Sequence, residues 1–256
     1  VQEVNARTKA VFALHQWGYP QRMDIIMNEA KKREWFVIED CAHSFGSTYR
    51  DKIVGSFGDA AIISFPKIFP TYVGGAVLSR HTDLIAGVRD VRVGPRSLGH
   101  RLFDRISVHT ARQNYLLRQP PFLRQAVYIT SIHFPRIAHA ALRRFPRTID
   151  DLKSEVARRQ YCFQTLKQRA GREYHPHSLD EGSDVIPLCV PIFFPEGKLH
   201  TARQMLKEKN IVANILHFDV NRNILNPLYK KCLAFPCHQH ITDEQLSYMC
   251  DVISRM

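Results

Sequence analysis

The fold of this chain is decided by residues 35–80, which read WFVIEDCAHSFGSTYRDKIVGSFGDAAIISFPKIFPTYVGGAVLSR. Three short apolar runs in this stretch, at 35–38, 60–65 and 74–80, have the length and composition of buried strands. A turn-rich segment separates the first run from the second. The stretch therefore predicts three strands of one sheet.

One more strand and a helix precede this stretch. The apolar run AVFAL at 10–14 predicts a buried strand. Residues 22–33, RMDIIMNEAKKR, carry apolar side chains at helical spacing and three basic residues at the end, where they suit the helix dipole. Strand, helix and strand within about thirty residues form a βαβ unit whose two strands are parallel. The sequence thus predicts an α/β fold with a mostly parallel sheet.

Polar residues stand where these predicted strands end. They are His15, Asp40 and the pair Ser64 and Lys67. In open α/β sheets the chemistry gathers outside the carboxyl ends of the strands. We therefore expect a functional site at this edge of the sheet.

The second half predicts a smaller α+β domain. Its first element is a long helix with Thr148 as N-cap and Gly171 as the stop. We accordingly divide the chain into a large domain, 1–147, and a small C-terminal domain, 148–256. The further elements expected are strands at 185–194, 211–216 and 232–235, a helix at 199–209, and a closing helix with a capping box of Thr242 and Gln245.

The positive charge is high and unevenly distributed. The 256 residues include 36 Lys+Arg and 24 Asp+Glu, a formal charge of +12. Twelve arginines lie in the segment 89–147, whose acids are Asp90 and Asp104. Such a local field attracts phosphates, nucleic acid or an anionic membrane surface, but it does not determine the fold. The composition, 45% hydrophobic, excludes a disordered or collagen-like chain.

Cysteine usage predicts a reducing, cytoplasmic location. The six cysteines are scattered without a CxxC pair, and the chain opens with VQEVNARTKA rather than a cleavable signal peptide. No run of about 18 apolar residues is present to span a bilayer. The cluster Cys232, Cys237, His238 and His240 fits no common zinc spacing, so we predict no metal site.

Lys67 and Asp40 are the residues that suggest chemistry. Lys67 stands in ISFPKIFPTYVGGAV, between apolar and proline neighbours. It is either a surface lysine whose stem lies along the protein or a desolvated amine that forms a Schiff base with a carbonyl. Asp40 either caps its loop or is the counter-charge of a pyridinium nitrogen. A carboxylate there keeps the ring of pyridoxal phosphate (PLP) protonated as an electron sink.

These residues stand in segments that resemble the DegT/DnrJ/EryC1/StrS family of PLP-dependent sugar aminotransferases. The resemblance covers about residues 5–80 and 148–256 and fades across the basic segment. Its most specific parts are VIEDCAHSFGS, the GSFGD before the third strand, and the lysine followed by a double glycine. The resemblance implies the type I fold of PLP enzymes, with PLP as cofactor.

The resemblance also implies roles for particular residues. Lys67 would bind PLP as a Schiff base and move the proton at the substrate carbon, while Asp40 would pair with the pyridinium nitrogen. His43 matches a position close to the cofactor ring, and Ser64 matches a serine that binds the cofactor phosphate. The catalytic residues expected are therefore Lys67 and Asp40, with His43 and Ser64 as cofactor-binding residues.

Two further positions match substrate-side residues of the family less specifically. They are His217 in NILHFD and Asn114 in RQNYLLRQ. The chain also departs from the family, since Val73 stands where an acid usually precedes the double glycine. The family's N-terminal segment, with the turn that cradles the PLP phosphate, has no counterpart here. We therefore expect a truncated large domain that binds PLP weakly or not at all by itself.

The function implied is transfer of an amino group from an amino acid, glutamate by the resemblance, to a nucleotide-linked keto-sugar in polysaccharide or secondary-metabolite biosynthesis. The family places its active site at a homodimer interface, so a homodimer is expected. One alternative is the sugar dehydratase branch, but that branch has histidine in place of Lys67. Another is a non-catalytic homologue whose segment 89–147 holds an anionic partner. A membrane surface suits that segment better than nucleic acid, because no nucleic-acid motif accompanies its arginines.

Overall fold

The computed structural model describes residues 4–69, 74–90, 149–169, 180–195, 197–238 and 240–256. Three predicted features lie outside these ranges: Asn114, Val73 and the basic segment beyond Asp90. The two residues expected to delimit the long helix, Thr148 and Gly171, also lie outside them. In the part of the chain that is described, no helix is both long and apolar enough to cross a membrane.

The first half forms a sheet of four strands with a helix packed against it. Its elements are β1 (Ala10–Leu14), α1 (Met23–Arg33), β2 (Phe36–Asp40), the hairpin strands β3 (Thr48–Tyr49) and β4 (Lys52–Ile53), β5 (Ala60–Ser64), β6 (Gly75–Ser79) and α2 (Thr82–Asp90). The strand order is β1-β2-β5-β6, in which β1, β2 and β5 are parallel and β6 is antiparallel to β5. The predicted βαβ unit and mostly parallel sheet are confirmed.

The start of β2 differs slightly from the prediction for a local reason. The sequence predicts a strand from Trp35, but the backbone N–H of Trp35 donates to the carbonyl of Ala30 at the end of α1. Glu34 between them has a left-handed backbone, with φ 53°, which ends the helix. The strand therefore begins at Phe36 and continues to Asp40.

The second half is α+β, as predicted, with shifted strand limits. Its elements are α3 (Ile149–Arg169), β7 (Cys189–Ile192), α4 (Leu199–Glu208), β8 (Asn214–Asp219), β9 (Tyr229–Pro236) and α5 (Asp243–Ile253). The three strands form an antiparallel sheet of order β7-β9-β8. The central β9 is longer than expected because it pairs on both sides. The capping box of Thr242 and Gln245 at the start of α5 is confirmed.

Buried apolar residues form two clusters. One lies between α1 and the first sheet and includes Met23, Ile26 and Val37. The other lies in the second half, yet it includes Trp17 and Tyr19 from the turn that follows β1. The segment after β1 therefore belongs, by its packing, with the core of the second half.

Candidate active site

Asp40 and Ser64 share one face of the first sheet at its carboxyl edge. In the parallel register Asp40 lies beside Leu14 on one side and beside Ile62 on the other. Ser64 is two residues beyond Ile62 and so points to the same face as Asp40. Leu14 and Ile62 are each 39% exposed, so this face is open to solvent at the two candidate residues.

Lys67 lies in a 3-10 turn that follows β5 directly. The turn spans Phe65–Lys67, has proline in its first turn, and is closed by the N–H groups of Ile68 and Phe69, which donate to the Phe65 carbonyl. Ile68 and Phe69 are buried, which anchors the turn, whereas the Lys67 side chain is exposed. The amine is thus held close to the edge of the sheet but lacks the desolvation that the Schiff-base interpretation expects.

His43 connects these residues electrostatically. Burial lowers the pKa of His43, the positive charge of Lys67 lowers it further, and the carboxylate of Asp40 acts in the opposite direction. Charges influence a pKa in this way only at short range. The charges of Asp40 and Lys67 both act on His43, which places each of them near its ring; the roles expected of these residues stay predictions.

One ring nitrogen of His43 lacks a protein partner. Its Nδ1 atom is buried and has no hydrogen bond within the described residues. A buried polar atom without a partner is unfavourable by roughly 1–3 kcal/mol unless something else binds it. A polar group of a ligand could satisfy this atom.

Asp40 is held by the backbone around it. One of its carboxylate oxygens, Oδ1, accepts the N–H of Ala42 at 3.0 Å, and its main-chain carbonyl accepts the N–H of His15 at 3.1 Å. The side chain is half-buried. The hydroxyl of Ser64 makes no capping bond to the turn that follows it. Both groups thus retain capacity for a ligand.

A buried hydrogen-bond network lies on the opposite face of β2. The carboxylate of Glu39 accepts the N–H groups of Gly55, Phe57 and Gly58, each at 2.7 Å, as well as a bond from His15. Together with Cys41, His15 and Glu39 could surround a metal ion, since their ligand atoms lie within 4.8 Å of one another. The two carboxylate oxygens already accept four hydrogen bonds, however, so we interpret the cluster as a structural network that fixes the end of β2.

His217 lies on β8, opposite Lys231 of β9, and its side chain is exposed. Its carbonyl accepts a hydrogen bond at 2.8 Å from the side chain of Gln16, whose own oxygen accepts the N–H of Asp219. Gln16 follows β1, so it joins β8 to the carboxyl edge of the first sheet. Within the described residues, no hydrogen bond or ion pair joins His217 to the candidate residues of β2 and β5.

Sequence reasoning missed Arg159 of α3. Its side chain is buried, and its guanidinium donates to the main-chain carbonyls of Lys67 and Ile68. A signal was available, since Arg159 lies three, four and seven residues before the buried Cys162, Phe163 and Leu166 on the same helical stripe. A charged residue on an apolar stripe indicates a specific buried partner.

Comparison with known proteins shows the family of this chain. The sequence pattern of the DegT/DnrJ/EryC1/StrS aminotransferase family matches residues 1–254. This chain belongs to that family.

Curated members of the DegT/DnrJ/EryC1/StrS family match this chain over different lengths. The GDP-perosamine synthase of Escherichia coli O157:H7 is 44% identical over 85 residues, which is 32% of this chain and 23% of that protein. The UDP-4-amino-4,6-dideoxy-N-acetyl-beta-L-altrosamine transaminase of Campylobacter jejuni is 26% identical over 255 residues, which is 92% of this chain and 62% of that protein. The chain therefore spans less than two thirds of the length of these relatives.

Solved structures share the fold. The Spr1654 protein of Streptococcus pneumoniae in its PLP form superposes with a TM-score of 0.64 at 16% identity, covering 99% of this chain and 69% of that one. At this identity the likeness concerns the fold alone. The α/β fold of the DegT/DnrJ/EryC1/StrS aminotransferases, expected from the resemblance, is thereby confirmed.

Proposed function

We propose that this chain is the core of a PLP-dependent aminotransferase that acts on a nucleotide-linked keto-sugar. The amino donor in this proposal is an amino acid, glutamate by the family resemblance, and the product enters cell-surface polysaccharide or secondary-metabolite sugars. The observation that carries the proposal is the position of His43, within the influence of both Asp40 and Lys67, at the carboxyl edge of a parallel sheet where Asp40 and Ser64 share one face. Edges of this kind are where α/β proteins bind their ligands.

The residues present fit PLP chemically. A phenolic oxygen or ring substituent suits the unpartnered Nδ1 of His43, a carboxylate at Asp40 suits a pyridinium nitrogen, and the amine of Lys67 suits an aldehyde. The hydroxyl of Ser64, on the same face as Asp40, suits a phosphate. When bound, PLP supplies an electron sink for bond cleavage at the carbon that carries the amino group.

Asp40, Lys67 and His43 would then have separate roles. Asp40 holds a proton on the ring nitrogen through its negative charge, and the N–H of Ala42 fixes the orientation of that carboxylate. Lys67 would hold the cofactor through its amine and would move a proton at the substrate carbon. Because burial lowers the pKa of His43, its ring is neutral at pH 7 and adds no positive charge beside the cofactor.

Several finer features belong to this proposal. They are a homodimer with the site at its interface, a large domain 1–147 and a small domain 148–256, substrate contacts from His217 and Asn114, and a cytoplasmic location. The six cysteines, all within the described residues, form no disulfide, which suits a reducing compartment. The arginines of 89–147 suit the diphosphate of a nucleotide sugar.

The test is to add PLP to the full-length gene product and to reduce the mixture with borohydride. We expect a visible absorbance band, fixed by borohydride, with the adduct mapped to Lys67 by peptide mass spectrometry. Lys67→Ala should lose the band and Lys31→Ala, at an exposed lysine of α1, should keep it. A wild-type protein without a band, or an adduct spread over surface lysines, would contradict the proposal. Amino transfer to nucleotide-linked keto-sugars then identifies the substrate.

A further inference from the structure

Arg159 joins the lysine-bearing turn to the second half of the chain. It lies at the middle of α3 and is 2% exposed. Its Nη2 donates to the carbonyl oxygens of Lys67, at 3.3 Å, and of Ile68, at 3.2 Å. Its Nη1 donates to the carbonyls of Pro187, at 3.1 Å, and of Cys237, at 3.0 Å. One guanidinium therefore binds the main chain of three separate segments.

The position of these bonds matters more than their number. Nη2 binds the carbonyl of Lys67 itself and that of the next residue, where the 3-10 turn ends. The N–H groups of Ile68 and Phe69 already donate within the turn, to Phe65. Donors inside the turn and a charged donor from α3 together fix its backbone. The direction in which the Lys67 side chain leaves the backbone is thereby fixed as well.

A buried guanidinium needs such acceptors. Burial lowers the pKa of Arg159, because removal from water disfavours the charged form. Four carbonyl oxygens compensate through charge-assisted hydrogen bonds, which are about twice as strong as neutral ones. The planar fork of arginine reaches carbonyls on two sides at once, and a lysine ammonium would not.

We propose that Arg159 is a positioning residue for Lys67, holding the turn so that the amine meets the aldehyde of the cofactor at a fixed distance. This inference rests on the proposed function, in which Lys67 is the residue that binds PLP. Arg159 itself touches neither amine nor cofactor in this assignment, and it acts through the carbonyls of Lys67 and Ile68.

The neighbouring arginine provides a matched control. Arg158 donates to the carboxylate of Asp243, at 2.7 Å, and to the carbonyl of Ile241, both near the start of α5. Its hydrogen bonds therefore join α3 to α5 and not to the lysine-bearing turn. Arg158→Gln removes the same side chain from the same helix as Arg159→Gln does, so it controls for the loss of an arginine from α3.

The first measurement needs no cofactor. Amide hydrogen exchange of the peptide that covers 65–69 should quicken in Arg159→Gln, because the bonds from Ile68 and Phe69 to Phe65 open more often when the turn loses its outer support. The same peptide should exchange at the wild-type rate in Arg158→Gln.

The second measurement is the rate at which Lys67 forms its borohydride-stable adduct with PLP in the full-length gene product. We expect Arg159→Gln to slow it by about 10- to 100-fold, since loss of a defined geometry costs factors of that order. Arg159→Lys keeps the charge and should fold even if the glutamine variant does not, with an intermediate rate. Arg158→Gln should react within about twofold of wild type, because its bonds lie elsewhere.

The outcomes separate the two proposals. The positioning role is overturned if wild type forms the adduct and both Arg159 variants form it at the wild-type rate. It is also overturned if Arg158→Gln slows adduct formation as much as Arg159→Gln does. Either result leaves the proposed function intact. A wild-type protein that forms no adduct overturns the proposed function, and the exchange comparison then still decides whether Arg159 fixes the turn.

Discussion

The imidazole of His15 and the carboxylate of Glu39 lie 3.1 Å apart, Nε2 to Oε2, and neither side chain is exposed. The backbone N–H of Gln21 donates to the other ring nitrogen, Nδ1, at 3.0 Å. Nε2 is therefore the nitrogen that donates to Glu39. The pair joins the ends of β1 and β2, next to Asp40, and holds the loop 55–58 beneath them.

Glu39→Gln should strongly destabilise the fold. An amide keeps one accepting oxygen and turns an NH2 group toward the backbone donors that Glu39 now satisfies. Breaking a buried charged network costs about 3–5 kcal/mol in the free energy of unfolding, measured by urea titration. Glu181→Gln, at an exposed carboxylate, should change it by less than about 0.5 kcal/mol. Equal stability of the two variants would refute the structural role of the network.

The same carboxylate should make the protein sensitive to acid. Burial by itself would raise the pKa of Glu39, but the hydrogen bonds from His15 and from two glycine N–H groups lower it overall. A lowered pKa stabilises the fold above the ordinary value of 4.5, and this contribution is lost as the pH falls through the folded-state pKa. Wild type should thus lose stability below pH 4.5 more steeply than Glu39→Gln, in urea titrations across a pH series.

The titration midpoint of His43, measured by NMR in the absence of cofactor, should depend on its two charged neighbours, Asp40 and Lys67. Its midpoint should lie below the ordinary 6.5, because burial and the charge of Lys67 lower the pKa of His43. Lys67→Ala should raise the midpoint and Asp40→Asn should lower it further, whereas Lys31→Ala should leave it unchanged. Since the folded-state pKa is lowered, protonation of His43 opposes folding as the pH drops below 6.5. A midpoint insensitive to Lys67 would mean that the two side chains are not neighbours.

Gly18→Ala should disrupt the connection between the two halves of the chain. Gly18 has a φ of +96°, and a Cβ there would lie 2.2 Å from the carbonyl oxygen of Ile186. Strain and overlap together should cost about 3 kcal/mol in thermal or urea unfolding. Gly87→Ala is the matched control, since a Cβ in helix α2 meets no described atom within 4 Å. That change should stabilise by about 0.5–1 kcal/mol. Similar effects of both substitutions would contradict the close approach at Gly18.

Asp40→Asn should abolish most activity of the full-length gene product while the fold survives. The amide oxygen can still accept the N–H of Ala42, but the negative charge that would hold a proton on the cofactor ring is gone. We expect kcat to fall at least about 100-fold, as for loss of other preorganised electrostatic groups, with the melting temperature within a few degrees of wild type. Asp83→Asn, at an exposed acid of α2, should retain activity. Undiminished turnover in Asp40→Asn would remove Asp40 from the catalytic residues.

Local patterns predicted most of the elements correctly. The periodicity of 22–33 and the run at 10–14 correspond to α1 and β1, and the capping box at Thr242 forms as its spacing indicates. Such features depend on residues within one or two turns of each other. Strand limits in the second half were less accurate, because the partner strand determines where a ladder begins and ends.

For the candidate site, too, the sequence predicted some features and left others open. The positions of Asp40, Ser64 and Lys67 at strand ends follow from the sequence, since parallel strands bring their carboxyl ends to one edge. The exposure of Lys67 and the unpartnered nitrogen of His43 do not follow from it. Both depend on which distant segments cover each side chain.

By itself the sequence determined the α/β class, the parallel strands, the family and the residues that could carry chemistry, because these are encoded in local spacing and residue type. Only the tertiary structure decided what surrounds those residues. Arg159 binds Lys67, Pro187 and Cys237, which lie up to 92 residues from it along the chain. Contacts of that range arise from packing, to which the sequence contributes a charged residue on an apolar stripe and no indication of its partners.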